Sequence, residues 1–218
     1  MTYGEIKIEA LKLMGVAWEK DIHTEGLDIY EQDENYKDYL VNMPGAVNRA
    51  LARIEERRVM PAKAYELKLT QGVPSSCYIR FELGAYIRDF FDVDRIVLES
   101  EYGDYDGNCD FTMEGDTLVL PRYSEEDGLH YTVLYKPKLT RVSVATENDA
   151  VLDVPDNIAA HVPYYVMSDL FRMDEPDEAA HARNLFESAL DEISERRTER
   201  VGRVKTVFSQ RASGCAVS

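Results

Sequence analysis

Apolar residues recur at helical spacing through the first quarter of the chain. In "MTYGEIKIEALKLMGVAWEK", Thr2 and Glu5 have the spacing of a capping box, in which two side chains satisfy backbone groups at a helix start. The first predicted helix then presents an apolar stripe of Tyr3, Ile6, Ala10, Leu13 and Ala17. The second, "YKDYLVNMPGAVNRALARIEERR", carries a stripe of Tyr36, Leu40, Met43, Val47, Leu51 and Ile54. Pro44 should kink or divide this helix, because proline lacks the backbone N–H and crowds the preceding turn.

The pattern then changes to short alternating segments, "AYELKL", "CYIRFEL", "RIVLES", "DFTMEGDTLVLP" and "LHYTVLYKPKL". In the last segment Tyr131, Val133 and Tyr135 point one way and Thr132 and Leu134 the other, which is the period of a half-buried strand. The pair Gly115-Asp116 lies between two such runs and suits a tight hairpin. We predict a small antiparallel sheet from Asp94 to Leu139, inserted into a helical protein.

Helical spacing returns in "VPDNIAAHVPYYVMSDLFRMDEPDEAAHARNLFESALDEI". Pro155 and Asp156 mark a helix start, Pro163 predicts a kink, and Asp174 and Asp177 have cap-like spacing before the last helix. The expected buried positions of the first helix are Ile158, Val162, Tyr165, Met167 and Leu170. Those of the second are Ala182, Phe186, Ala189 and Ile193. Because their connection is short, the two helices should pack antiparallel.

These patterns predict an α+β protein, built as an antiparallel helical bundle with an inserted small antiparallel β-sheet domain and an extended C-terminal arm. The predicted helical body comprises residues 1–93 and 151–196, the β-rich insertion residues 94–150, and the arm residues 197–218. The tail, "RRTERVGRVKTVFSQRASGCAVS", is basic where the rest is acidic and lacks helical period after about Val204. Such a segment is typical of an arm that becomes ordered against another molecule.

Composition and charge disfavour several classes of protein function. The chain has 218 residues, 44% of them hydrophobic, and a formal net charge of −16. This charge disfavours a nucleic-acid binder, because such binding depends on Lys and Arg, but it is compatible with a protein that DNA passes without adhering. Cys77, Cys109 and Cys215 are odd in number and widely spaced, which indicates a reducing compartment rather than a disulfide framework. No apolar targeting or membrane-spanning stretch is evident, so we expect a soluble protein.

One acidic stretch, "DYDGNCD", could offer oxygen ligands from Asp104, Asp106 and Asp110 to a calcium ion. An EF-hand needs glycine at the sixth position and glutamate at the twelfth, and those positions hold Cys109 and Gly115. A polar turn between strands is the favoured interpretation. The alternative function is a small ligand-binding or metal-binding domain, or an enzyme, with an acidic site on a β loop.

The remaining candidate chemistry is sparse. The histidines, His23, His130, His161 and His181, show no zinc-ligand spacing, although His161 and His181 could face each other across the predicted helical hairpin. The chain contains no nucleophile elbow and no phosphate-binding loop. The terminal "CAVS" matches a prenylation box at Cys215, which would make a peripheral membrane protein in a eukaryotic cell, but the nucleotide site of lipidated signalling proteins is missing. We therefore predict no catalytic, cofactor-binding or metal-binding residue.

The order of these parts is more informative than any single motif. A capped helix leads to a second helix ending in "RALARIEERR", then to a β-rich insertion with "GDTLVLP" and "YTVLYKPKL", a helical hairpin and a basic tail. This order resembles the head-to-tail adaptor (connector) proteins of tailed bacteriophages, including the tubular adaptors of short-tailed phages. Proteins of that family carry a proline-started helix rich in Tyr and Ala, a short acidic turn and an Ala-rich helix ending in Glu and Arg. The long β insertion departs from the compact, mostly helical members.

The resemblance implies a non-enzymatic virion protein at the neck of the phage, assembled in the host bacterial cytoplasm without cofactor or membrane. It implies a ring, usually of twelve copies, that docks under the portal protein, presents its β region to tail or nozzle proteins, and lets DNA pass without specific binding. It also implies that the C-terminal arm inserts into the portal. The candidate docking residues of this arm are Arg196, Arg197, Arg200, Arg203, Lys205, Phe208 and Arg211.

Overall fold

A computed structural model describes the backbone of residues 1–15, 34–75, 77–100, 106–122 and 129–208, and the side chains of 1–15, 37–68, 70–75, 77–98, 109–122 and 130–196. The chain divides into two compact units. Residues 1–59 and 140–218 form the helical unit, and residues 60–139 form the β unit. The β unit therefore begins well before the predicted boundary at residue 94 and ends before residue 150. The early strands belong to it because Leu67, Ile79 and Phe81 share its core.

The helices are α1 (Tyr3–Leu13), α2 (Glu34–Glu56), α3 (Leu83–Tyr86), α4 (Asp156–Ala159), α5 (Val162–Leu170) and α6 (Pro176–Phe208). All except α3 belong to the helical unit. Together with the strands of the β unit they confirm the α+β class.

The N-terminal helix α1 begins with the predicted capping box. Glu5 donates its backbone N–H to Thr2 Oγ1 at 3.2 Å, and Thr2 donates its backbone N–H to Glu5 Oε2 at 2.7 Å. Of the predicted stripe, Tyr3, Ile6 and Ala10 are buried, Leu13 is half-buried, and Ala17 lies outside the described residues. Ile8 and Leu11 are buried as well. Helix α1 is thus enclosed by protein on more than one side, whereas the pattern predicted a single buried face.

The long helix α2 buries the predicted stripe from Leu40 onwards, and the side chain of Tyr36 lies outside the described residues. Its members Leu40, Met43, Val47, Leu51 and Ile54 are buried, with Ala46 and Ala50 between them. Pro44 lies within α2, which runs through it as one helix, so the predicted division does not occur.

The predicted proline-kinked helix after residue 155 is two helices, α4 and α5. Pro163 lies in the first turn of α5, where its missing N–H would have no helical partner in any case. The expected core residues Ile158, Val162, Tyr165 and Met167 are buried, and Leu170 is half-buried. In α6, Ala182 and Phe186 are buried as predicted, Ala189 and Ile193 are half-buried, and Leu190 joins the core.

The β unit contains eight strands in the described residues: β1 (Lys63–Leu67), β2 (Val73–Pro74), β3 (Tyr78–Glu82), β4 (Phe90–Ser100), β5 (Asp106–Cys109), β6 (Thr112–Glu114), β7 (Thr117–Pro121) and β8 (Leu129–Pro137). They form two four-stranded sheets with the orders β1-β8-β4-β5 and β2-β3-β7-β6. All pairings are antiparallel. Side chains from both sheets build one core, so the predicted single sheet is a pair of sheets.

Two local predictions for the β unit are confirmed. Tyr131, Val133 and Tyr135 on β8 are buried, as the alternation indicated. Gly115 and Asp116 connect β6 to β7, and Gly115 has φ +65°, a left-handed conformation that suits glycine.

Candidate functional site

The helical hairpin of α5 and α6 is held by aromatic contacts. The rings of Tyr165 and Phe186 meet edge to face with centroids 5.0 Å apart. The Arg183 guanidinium lies 3.8 Å above the centre of the Tyr165 ring. Glu175, just before α6, donates its backbone N–H to the Phe171 carbonyl just after α5. The two helices therefore run in opposite directions, as the short connection predicted.

Four charged residues join α2 to α6, and we call Arg53, Arg57, Glu187 and Asp191 the clamp. Arg53 donates from Nε to Glu187 Oε1 at 2.8 Å and from Nη2 to Glu187 Oε2 at 3.1 Å. Arg57 donates from Nη2 to Glu187 Oε2 at 2.7 Å, and its Nη1 lies 3.0 Å from Asp191 Oδ1. Each helix contributes residues one turn apart, so the two sets of side chains are in register.

The clamp changes the ionisation of its members. Burial alone would raise the pKa of Glu187, but hydrogen bonds from Arg53 and Arg57 outweigh it and hold this pKa below its ordinary value. The hydrogen bond to Glu187 raises the pKa of Arg53. Both groups are therefore ionised near neutral pH, and the contact is a charge-assisted one.

A second contact lies at the opposite end of the same helix pair. The Tyr39 hydroxyl on α2 donates to Asp174 Oδ2 at 2.6 Å, just before α6, and this bond raises the pKa of Tyr39 to about 12. Tyr39 precedes Arg53 in α2, and Asp174 precedes Glu187. Helices α2 and α6 therefore run in the same direction, joined near both ends of their contact.

Beyond the clamp, α6 continues as a helix to Phe208. Glu192 and Arg196 form an ion pair one turn apart on its exposed side. The predicted arm was extended from residue 197, but its backbone is helical over residues 197–208. No proline interrupts this stretch, and its Arg and Glu residues favour helix, so the helix nucleated in the hairpin can propagate into it.

Most of the predicted docking residues lie in this helical extension. Arg196, Arg200 and Arg203 recur at spacings of four and three, so a helical backbone places them along one side. The side chains of Arg197, Arg200, Arg203, Lys205 and Phe208 lie outside the described residues, as does all of Arg211.

The residues considered for other chemistry lie apart from the clamp. Asp106 begins β5 and Asp110 follows its end, whereas Asp104 and Cys215 lie outside the described residues. Within the part of the chain that the structure describes, no group of three or more His, Cys, Asp or Glu residues is placed to hold a metal ion.

The two hairpin histidines have different surroundings. His161 stacks on Tyr164 with ring centroids 6.3 Å apart. His181 lines a mainly apolar cavity of about 460 Å³ between α1, α5 and α6. The other lining residues are Leu13, Tyr164, Met167, Asp177, Glu178, Ala182 and Leu185.

The sequence analysis did not single out the clamp. Its signal was present as Arg53 and Arg57 in "RALARIEERR" and Glu187 and Asp191 in "FESALDEI", each pair separated by one helical turn. Charged residues make up 30% of the chain, so many such spacings occur, and the spacing alone does not select this one.

A family comparison bears on the whole molecule. Residues 1–207 match the family model of the SU10 adaptor protein, a range that covers the whole β unit and all of the helical unit except residues 208–218. The chain belongs to the SU10 adaptor protein family. This membership confirms the predicted resemblance to phage head-to-tail adaptors.

Membership makes the chain a structural protein of a bacteriophage. It implies a place at the virion neck and contacts with other head and tail proteins. Phage structural adaptors are typically non-enzymatic. No curated protein matches the chain. In the described residues, no helix has both the length and the apolar character that crossing a membrane requires.

Proposed function

We propose that this protein forms a ring of twelve copies between the portal protein and the tail, with the C-terminal part of α6 docking into the portal. One observation carries the proposal: Leu190 is the last buried residue of α6 among the side chains that the structure describes, and the helix continues to Phe208, into the basic end of an acidic chain. From Asp191 to Arg196 every described residue of α6 except the half-buried Ile193 is exposed, so this part of the helix is open to contact with another protein.

Charge supports an acidic partner surface for this extension. Residues 196–218 contain six Lys and Arg residues and one Glu, whereas the whole chain has a net charge of −16. Opposite charge speeds and orients the encounter with a partner, and like charge disfavours wrong contacts. The same segment would be attracted to the acidic remainder of neighbouring copies, so specificity for the portal must also come from its shape and its apolar residues.

The acidic remainder of the chain suits the wall of a DNA channel. Nucleic-acid affinity comes mainly from Lys and Arg at phosphate groups, and an acidic lining offers few of them. A weakly repulsive wall lets DNA pass without a binding site at which it would pause.

The β unit supplies a surface for tail or nozzle proteins. On the second sheet, Val73 pairs with Arg80, and Tyr78 precedes Arg80 by two residues, so all three lie on one face. Val73 is 69% exposed and Tyr78 is 52% exposed. Exposed aromatic and arginine side chains beside apolar ones are typical of protein interfaces.

Binding to the purified portal tests the docking assignment. Deletion of the residues after Arg197 should abolish co-sedimentation with portal rings. It should reduce the helical circular dichroism signal only by the share of the deleted residues 198–208 and leave the unfolding midpoint of the helical unit unchanged. The triple variant Arg200→Glu/Arg203→Glu/Lys205→Glu should lose binding as well. Its matched control, Lys37→Glu/Lys68→Glu/Arg172→Glu, alters three exposed cations outside the extension and should bind normally.

Undiminished binding by the truncated chain would show that the arm is not the docking element. Equal loss in both triple variants would show that overall charge, rather than the extension, governs the contact.

A further inference from the structure

The last turn of α2 has contacts on two opposite sides. Arg53 and Arg57 reach α6 through the clamp, as the distances to Glu187 and Asp191 show. Glu55 lies between them in sequence and so projects from the other side of the helix. Its carboxylate is paired with Arg141, and Glu55 itself is 4% exposed.

Arg141 lies in the segment where the chain returns from the β unit to the helical unit. Asn48 donates from Nδ2 to the Val142 carbonyl at 2.8 Å, and Val142 donates its N–H to Asn48 Oδ1 at 2.8 Å. These two bonds and the Glu55 pair fix residues 140–142 to α2. The helix itself ends at Glu56, and the β unit begins at Met60. Both connections to the β unit therefore start at the last turns of α2.

We propose that the turn Arg53–Arg57 is a coupling bridge between the root of the α6 extension and the two chain connections to the β unit. A change in the position of α6 at Glu187 and Asp191 displaces the turn, and the turn displaces residues 140–142. The inference concerns the isolated chain and does not depend on ring formation or on portal binding.

The chemistry of the contacts makes the bridge stiff. Arginine forks that bind carboxylates in two places allow little sliding, in contrast to the single point charge of lysine. Separating a buried carboxylate such as Glu55 from its partner strongly destabilises the fold, so Glu55 moves together with Arg141. Coupling between two sites is reciprocal, so a perturbation on either side must be felt on the other.

Native-state hydrogen exchange of the full chain tests the bridge. The variant Glu187→Gln/Asp191→Asn weakens only the α6 side. The Val142 amide donates to Asn48 on the other side of α2, and we expect it to exchange at least roughly threefold faster. Amides at α1, such as that of Met14, which donates to the Ala10 carbonyl, should keep their exchange rates. In the reverse direction, Arg141→Gln should accelerate hydrogen exchange at the α6 amides of residues 191–196.

Glu192→Gln is the matched control, because it removes one charge from α6 at a residue whose ion pair, with Arg196, lies within the same helix. It should leave the Val142 rate unchanged. An unchanged Val142 rate in the double variant would overturn the proposal. So would equal acceleration of the Val142 and α1 amides, because that result reports unfolding of the whole helical unit.

Discussion

Arg53 on α2 and Glu187 on α6 face each other through two parallel hydrogen bonds, 2.8 and 3.1 Å long. This geometry matches the planar guanidinium to the planar carboxylate and fixes the two helices along their length as well as their separation. Glu187 also accepts from Arg57, so one carboxylate serves two cations. The position of α6 at Glu187 is thereby set by α2.

Replacing Glu187 with Ala should destabilise the helical unit by about 1–3 kcal/mol, because two partly buried guanidinium groups lose the acceptor that they share. Urea unfolding followed by circular dichroism measures the change. Glu192→Ala, which removes an exposed pair on the same helix, should change the free energy of unfolding by less than about 0.5 kcal/mol. Equal effects of the two substitutions would contradict a special role for the clamp.

The contribution of Glu187 should depend on pH. Its pKa in the folded chain lies below the ordinary value of 4.5, so the stabilisation is present above pH 4.5 and is lost as the pH falls through the lowered pKa. The difference in unfolding free energy between the parent chain and Glu187→Gln should therefore be larger at about pH 7 than at about pH 3. A difference that stays constant over this range would mean that ionised Glu187 is not preferentially stabilised.

Gly72 occupies a position in the β unit that has no room for a side chain. A Cβ atom there would lie 2.4 Å from Cγ1 of Ile79 and 2.9 Å from Cε1 of Phe81. Gly72→Ala should lower the stability of the β unit by about 1–3 kcal/mol through overpacking. Gly84→Ala is the control, because no atom lies within 4 Å of its added Cβ, and thermal unfolding should separate the two variants.

Phe186 anchors α6 to α5 and is fully buried. Phe186→Ala should cost about 3–5 kcal/mol, because it removes the ring against Tyr165 and leaves a cavity. The neighbouring Leu185 is 42% exposed, and Leu185→Ala should cost much less. The denaturant concentrations at the unfolding midpoints of the two variants measure this difference in stability. Similar losses would indicate that the hairpin is not held by the buried ring.

Local patterns predicted the elements whose surroundings are simple. The apolar residues of helix α2 lie on one side, so its stripe from Leu40 to Ile54 matches the buried positions. Strand β8 alternates in the same way because its Tyr131 and Val133 face the core. In helix α1, buried positions occur outside the predicted stripe. A helix enclosed on several sides carries buried apolar residues around its circumference, and no single stripe describes them.

Long-range pairing accounts for the misplaced boundary of the β unit. Strand β1 pairs with β8, so Lys63 lies opposite Tyr135 although many residues separate them in sequence. No local pattern reveals that partnership, and the early strands were therefore assigned to the helical body. The clamp was missed for the same reason, because the pairing of Arg57 with Asp191 depends on how α2 and α6 pack.

The most direct test of the central claim is electron microscopy of the full chain mixed with purified portal rings from the same phage. The proposed function predicts closed rings with a central hole, coaxial with the portal, and a copy number of twelve by mass measurement of the complex. Absence of any complex, or single copies bound without closing into a ring, would contradict the ring adaptor proposed for this chain.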